Sequence, residues 1–406
     1  MDRRTLLKLL AATAVAGCES PTSSNKNLRV VVAGAGIIGA SIAYHLAKSG
    51  ATVTVIDKQG PASHASRGTF AWINATWAKQ PRSYHQFTQS SVAYWQELHH
   101  SLDLPVRWGG SLEWFSSDER QEKLALQIAE QVAWGEPAKM LNATDFAELE
   151  PNVIFDANRK AAYSPNDGSV DPVLATRKLL AAAEALGATV KFPSELTDIS
   201  MRNGRLASVE TSIGSIAADR LVLATGAAAE LTMTIADIEI PQRTKPGIIA
   251  ISKPVPPVLN RIIAAPGVHM YQRDDGRLVI GEQDGAPDNE AHALRLEGRP
   301  NDFPSPIIAH EHARRMLAVA ARYAPELATA EPETAYIGWR PLPIDGHPVI
   351  GPSPNRKDVY IAIMHSGVTL APLTGRLASQ ELLGDEEAAS LAPYRADRSF
   401  ELVKRY

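Results

Sequence analysis

The feature that most constrains this chain is a glycine-rich loop set between two apolar segments near its N-terminal end. Leu28–Ala33 is an apolar, β-branched stretch of strand length, and Gly34, Gly36 and Gly39 follow it at once. Residues 40–49 then carry helical periodicity, Gly50 ends them, and Ala51–Ile56 reads as a second buried strand closed by Asp57. This is a βαβ unit, which commits the chain to an α/β fold with a parallel sheet covered by helices. Each glycine answers a separate need. Gly34 permits the tight turn, Gly36 lets backbone approach a pyrophosphate, and Gly39 allows helix to pack closely on strand. The helix start, with Ile37 and Ile38, presents unpaired N–H groups and the positive end of a dipole to phosphate. Asp57, followed by Lys58, stands where a carboxylate accepts hydrogen bonds from ribose hydroxyls, and its charge disfavours a 2′-phosphate. The unit predicts a bound dinucleotide without separating FAD from NAD.

Composition narrows the function class. The 406 residues are enough for two domains, and 45% hydrophobic with 21% charged residues is ordinary for a globular protein. The net charge of -4, with no basic stripe interleaved with aromatics, argues against nucleic acid as a partner. No His-x-x-x-His stands near an acid, so no metal site is expected. No serine has a Gly-x-Ser-x-Gly setting, so hydrolase chemistry has no support.

The first residues suggest export. Arg3 and Arg4 precede Leu6, Leu7 and Lys8 and then an apolar run over residues 9–17. That run is shorter than the roughly 20 residues a bilayer span needs and suits a signal peptide. The arginine pair resembles a twin-arginine export signal. Val15-Ala16-Gly17-Cys18 resembles a lipoprotein processing site, with Cys18, the only cysteine of the chain, as the lipidated residue. The expectation is a signal peptide over 1–17, a polar tether over 18–27, and a periplasmic or cell-envelope lipoprotein anchored to a membrane. The alternative is a small buried thiol or a frayed N-terminal helix.

Three later segments bear on the cofactor. Gly168-Ser169-Val170-Asp171-Pro172 precedes a helix over Val173–Leu186, and a strand follows over Thr189–Phe192. Asp219–Leu223 is a buried strand running into Ala224, Thr225 and Gly226, small residues that permit a second close approach to a nucleotide. Gly338-Trp339-Arg340-Pro341, continued by Asp345-Gly346-His347-Pro348-Val349-Ile350-Gly351, leads to a strand over Val359–Ile363. His365-Ser366-Gly367-Val368-Thr369-Leu370-Ala371-Pro372 then opens a last helix beginning near Pro372.

Together these residues resemble the family of FAD-dependent glycine oxidases, sarcosine oxidases and D-amino-acid oxidases or dehydrogenases, over nearly all of the chain after Asn27. The resemblance implies a Rossmann-like FAD-binding domain that is discontinuous, with an inserted substrate domain on a mixed or antiparallel sheet. The FAD domain is expected over 28–83, 151–235 and 336–390, the substrate domain over 84–150 and 236–335, and a C-terminal tail over 391–406. Strand Arg243–Ile251 and helix His310–Tyr323 belong to the insertion. FAD is expected to be bound non-covalently. Cys18 is no route to a cysteinyl flavin, and His64 lacks the Trp-His-Ala-Ala-Gly setting of a histidyl one. In the loop Ala65-Ser66-Arg67-Gly68, the family's Asn-Ala-Gly is replaced; Ser66 and Arg67 are read either as phosphate or flavin ligands or as loop structure.

The implied reaction oxidises the C–N bond of a small amino acid or N-alkyl amino acid. Hydride passes to flavin N5, and the resulting imine hydrolyses; electrons then leave to oxygen or to a membrane quinone. Arg340 is the candidate for gripping the substrate carboxylate, with an ion pair to Asp345 as its alternative role. Gly338 and the segment Gly367, Val368, Thr369 and Leu370 are candidates for flavin contact, the latter stabilising negative charge on the ring. His365 and Tyr271 are candidates beside the ring and over the substrate, although His365 reads equally as a satisfied structural histidine and Tyr271 as an ordinary strand tyrosine. Glycine oxidases carry a second carboxylate-binding arginine just after the histidine, which is absent here. The competing readings are a flavin-dependent 2-hydroxy-acid oxidoreductase or monooxygenase, and a non-catalytic FAD-fold binding lipoprotein.

Overall fold

The apolar runs around the glycine loop become neighbours in one sheet. A computed structural model describes residues 28–283, 298, 300–384 and 388–403. Its six-stranded sheet runs in the order Val349–Pro352, Val359–Ile363, Arg220–Leu223, Arg29–Ala33, Thr52–Ile56 and Thr189–Lys191. All neighbours are parallel except the first pair. Alternate residues of each strand divide between two apolar layers, as a doubly covered parallel sheet requires. Val30, Val32, Val53, Val55, Val222 and Ala362 face helices Ile37–Lys48, Arg82–Leu102, Pro172–Ala185 and Gly367–Gly384. Val31, Ala33, Leu221, Leu223, Ile361 and Ile363 face an antiparallel meander over residues 196–217 and helix Ala229–Ala236.

A second sheet of eight strands carries the order Pro332–Pro343, Gln242–Ser252, Leu278–Gly281, Val268–Gln272, Ile262–Ala265, Ser111–Glu113, Ala161–Ser164 and Lys139–Leu141. It is antiparallel apart from the pairing of Ile262–Ala265 with Ser111–Glu113. One face, with Ile248, Ala250, Met270, Ile280 and Ile337, packs under helix Pro306–Ala320. The other, with Ile249, Ile251, Tyr271, Val279 and Tyr336, meets Phe70 and Trp72 of the glycine-loop half.

The expected division therefore shifts in three places, the first being helix Arg82–Leu102, which covers the parallel sheet although 84–150 is expected in the substrate domain. Strand Ala161–Ser164 and strand Pro332–Pro343 belong to the eight-stranded sheet, although residues 151–235 and 336–390 were assigned to the cofactor half. The residues after 390 are docked as well. Leu391 and Tyr394 lie in the main core, and Arg395 pairs with buried Glu381 at 2.5 Å. A three-stranded sheet of Trp72–Ile73, Gly168–Val170 and Val106–Trp108 lies in the chain between the segments of the two larger sheets.

The last helix begins at Gly367, five residues before the expected start, and carries Pro372 inside it. Proline lacks the N–H that would reach Val368 O. That carbonyl instead accepts the indole N–H of Trp95 at 2.9 Å, and Ser91 Oγ donates to Thr369 O at 2.7 Å. Side chains of a neighbouring helix thus satisfy acceptors near the proline. Residues 1–17 and Cys18 lie outside the described residues. Among the described residues no helix is long and apolar enough to cross a membrane.

Candidate active site

The glycine loop is built by contacts that tolerate no side chain. Gly34 has φ +111°, and a Cβ there would fall 2.3 Å from Ala224 O; a Cβ on Gly39 would fall 1.9 Å from Gly34 O. Gly36 differs, because a Cβ on it would meet only Ser66 Oγ, at 3.2 Å. Its bare face and the helix start beside it form the cradle. The helix has no side-chain cap at Gly36, and Ile37 N donates to Ser66 Oγ at 3.0 Å. Ile38 and Gly39 carry the next first-turn N–H groups, which lack intrahelical acceptors. Asp57 accepts from Ala35 N at 2.9 Å and from Gln59 N and Gly60 N at 2.8 Å. The carboxylate braces the loop from the position expected of a ribose ligand. Lys58 follows it, exposed.

The second approach to the cradle comes from Ala224, whose N–H donates to Ala33 O at 2.9 Å, followed by Thr225 and by Gly226 at φ +58°. Thr225 Oγ1 lies 2.5 Å from Thr232 Oγ1, which ties the turn to the helix after it. Gly367 then joins the two helix starts, since a Cβ on it would lie 3.5 Å from Ile38 Cγ1. The cradle and the first turn of the last helix are thereby adjacent. Within that turn Val368 and Thr369 offer N–H groups, whereas Leu370 N is occupied by Ser366 O at 3.0 Å. Thr369 Oγ1 donates to Trp72 O and accepts from Asn74 N, each at 3.1 Å.

Two expected cofactor ligands do other work. Arg67 pairs with Asp302 at 2.8 Å and lies 4.4 Å over the Tyr336 ring, which aims it at the eight-stranded sheet rather than at the phosphate cradle. Gly338 packs back to back with Gly68, where a Cβ would fall 2.2 Å from Gly68 O. Its glycine is required by the joint between loop and sheet.

On the substrate side, side chains alternate along each strand, so residues two apart share a face. Tyr336 packs toward Phe70, and Arg340 therefore projects on that same side. It is half-buried, and its guanidinium lies over Gly247, where a Cβ would be 2.7 Å from Nη2. Asp345 is held by Arg398 at 2.8 Å. Tyr271 is fully buried, its ring 5.0 Å from Phe70 and its hydroxyl donating to Val170 O at 3.3 Å. Burial pushes its pKa up to about 12. A tyrosine covered by Phe70 is a floor, not a lid. His365 is half-buried in the turn after Val359–Ile363, and its carbonyl accepts Gly367 N at 2.8 Å.

A pair of buried acids escaped sequence reasoning. Asp167 accepts from Ala75 N at 2.6 Å, Ser111 Oγ at 2.7 Å, Trp72 Nε1 at 2.9 Å and the Thr76 hydroxyl. Burial raises its pKa while these donors pull it down. Glu113, on the sheet face two residues from Ser111, accepts from Trp77 Nε1 at 2.5 Å. Burial pushes it up to about 8, and the nearby Asp167 adds to the shift. Trp72 and Trp77 pack edge to face at 5.5 Å, and Trp72 also meets His269 at 5.8 Å. Asp167 follows Asn166 in what reads as a plain turn, so no local signal marks it. An acid alternating with Leu112 on a short strand was the one clue to Glu113. Among the described residues no group of three histidine, cysteine or acidic side chains is placed to hold a metal ion.

A parallel sheet ending in a glycine cradle, with a second helix start beside it and an inserted, mostly antiparallel sheet facing it, is the architecture of a dinucleotide-binding protein. The chain belongs to the family described as FAD dependent oxidoreductase, which matches residues 29–381. It is 28% identical to the glycine oxidase of Geobacillus kaustophilus over 91% of this chain and 96% of that protein. The crystal structure of glycine oxidase from that organism superposes with a TM-score of 0.80 at 25% identity, covering 92% of this chain and all of the other. A hydrogen cyanide synthase subunit of Pseudomonas protegens is 26% identical over 92% of this chain and 96% of its own. The L-proline dehydrogenase of P. horikoshii shares the fold, with a TM-score of 0.78 at 23% identity over 91% of this chain and 97% of that one. The protein is an FAD-dependent enzyme. The cradle fits the cofactor, because the bare face of Gly36 and the first-turn N–H groups beside it leave the space and the donors that a pyrophosphate needs.

Proposed function

We propose that this enzyme oxidises the C–N bond of a small amino acid or N-alkyl amino acid bearing a free carboxylate. The observation that carries the reading is Arg340, a half-buried guanidinium on the sheet face that meets the cofactor half. A guanidinium grips a carboxylate through two parallel hydrogen bonds and so fixes distance and angle together. The bound FAD supplies the hydride acceptor. Around it, the first-turn N–H groups of Val368 and Thr369 favour negative charge at their end of the site. Phe70, Trp72 and Tyr271 make an apolar wall that keeps water from the reacting carbon. Similarity to glycine oxidases supports a small substrate.

The test is an anaerobic screen of glycine, sarcosine, proline and D- and L-amino acids, read as bleaching of the oxidised-flavin spectrum. Bleaching by at least one of them, lost when its carboxylate is amidated, is the expected result. Reduction by 2-hydroxy acids alone, or by NADPH alone, would overturn it. We further propose that the chain is exported and anchored through Cys18, with oxygen or a membrane quinone taking the electrons. Cys18→Ser should then leave the membrane fraction, and unchanged fractionation would sink the anchor.

A further inference from the structure

We infer that Trp95 is a positioning residue for the bound flavin: its indole N–H holds the Val368–Thr369 peptide, and so aims and strengthens the Thr369 N–H as a donor. A peptide unit is planar and trans, so its C=O and N–H point in opposite directions and turn together. Val368 O and Thr369 N are the two ends of one such unit. The oxygen accepts Trp95 Nε1 at 2.9 Å, from an indole that is fully buried and held by its packing. The nitrogen is one of the two donors that the first turn of helix Gly367–Gly384 leaves without intrahelical acceptors. A carbonyl that accepts a hydrogen bond polarises its peptide, which makes the N–H at the far end a stronger donor.

Pro372 makes that oxygen available. In an unbroken helix Val368 O would accept the N–H four residues on, but proline has none and its ring crowds that carbonyl. The next peptide supplies a contrast. Thr369 O accepts Ser91 Oγ at 2.7 Å, from the same helix Arg82–Leu102 that carries Trp95. The far end of that unit, Leu370 N, already donates to Ser366 O at 3.0 Å. Two side chains of one helix thus hold two successive carbonyls, and of the two only Trp95 acts on a peptide whose N–H is left for the cofactor. Thr369 is pinned from its side chain as well, its hydroxyl set between Trp72 O and Asn74 N at 3.1 Å each.

This inference rests on the reading of the turn as the end of the flavin site that favours negative charge, and it is independent of the substrate. The readout is the midpoint potential of the bound FAD, measured anaerobically against reference dyes, because reduction places negative charge on the ring. Trp95→Phe should favour the reduced form roughly threefold to tenfold less than the wild type does, the net worth of one hydrogen bond. For a two-electron couple that is a potential about 15–30 mV lower. Ser91→Ala should lower the urea midpoint of the protein and leave the potential at its wild-type value. Adding Pro372→Ala to Trp95→Phe gives Val368 O an intrahelical N–H in place of the indole and should raise the potential again. If Trp95→Phe loses its flavin, benzothienylalanine at position 95 keeps the two-ring shape, replaces N–H by sulfur and carries the same expectation. A wild-type potential in the Trp95 variant, or an equal shift in Ser91→Ala, overturns the inference and leaves the reading of the turn standing. Wild-type protein whose FAD is no easier to reduce than free FAD overturns the reading of the turn and the inference with it.

Discussion

Replacing Glu113 with glutamine should change how stability depends on pH more than it changes stability at any one acidic pH. Glu113 is 1% exposed and receives the Trp77 indole N–H at 2.5 Å. Folded, it keeps its proton up to about pH 8, against an ordinary value of 4.5. The unfolded carboxyl has already ionised by then. A group whose folded pKa is raised contributes its full stability below the unfolded value and loses it as pH climbs toward the folded one. Each unit of separation is worth about 1.4 kcal/mol, so the wild type gives up roughly 5 kcal/mol of this contribution between pH 4.5 and pH 8. Glutamine is the neutral counterpart of the protonated acid and keeps an oxygen for Trp77. Thermal unfolding of the FAD-loaded wild type and Glu113→Gln, run from pH 5 to pH 9, isolates the residue because every other titration is common to both. The midpoint of the variant should gain on the wild type steadily up to about pH 8, and the gap should then stay level. An offset that is the same at every pH would refute the claim that Glu113 is buried in its neutral form.

Asp167→Asn should cost about 1–3 kcal/mol in urea unfolding. One carboxylate oxygen takes Ala75 N and the other takes Trp72, Ser111 and Thr76, so an amide must turn its NH2 on at least one of those donors. Gly39→Ala, whose new methyl would lie 1.9 Å from Gly34 O, should yield protein with little or no flavin, read directly from its visible absorbance. Arg395→Ala should destabilise by about 3–5 kcal/mol, since it strands the buried Glu381 carboxylate. Adding Glu381→Gln should recover part of that loss in the same denaturation assay.

The cofactor half was legible where the signals are local. Strand Arg29–Ala33, the helix after it and strand Thr52–Ile56 follow from periodicity and glycine placement within thirty or so residues of chain, and Val359–Ile363 from its unbroken apolar run. The start of the last helix was misplaced because a proline ordinarily marks the first turn. Here Trp95 and Ser91, from a helix nearly three hundred residues away, make an interior proline acceptable. The substrate sheet was legible only in outline. Strands such as Ser111–Glu113, Ala161–Ser164 and Lys139–Leu141 are too short to show a period, and their partners are set by long-range pairing. Arg67 reads from sequence either as a cofactor ligand or as loop structure, and Gly338 as a candidate for flavin contact through the resemblance. That each serves the joint between the halves depends on Asp302, Tyr336 and Gly68, which no spacing in the chain brings together.

The strand order of the parallel sheet also governs when the protein can form. Strand Arg29–Ala33 is made first, yet its two neighbours are Thr52–Ile56 and Arg220–Leu223, and the latter is itself flanked by Val359–Ile363. A ribosome has therefore delivered most of the chain before the sheet can close, and until then Arg220–Leu223 presents an open edge. Truncation before Val359 would remove a wall of the nucleotide half while sparing every glycine of its loop. Such fragments should aggregate rather than bind the cofactor weakly, and the yellow colour of a preparation would report completed synthesis as much as an intact cradle.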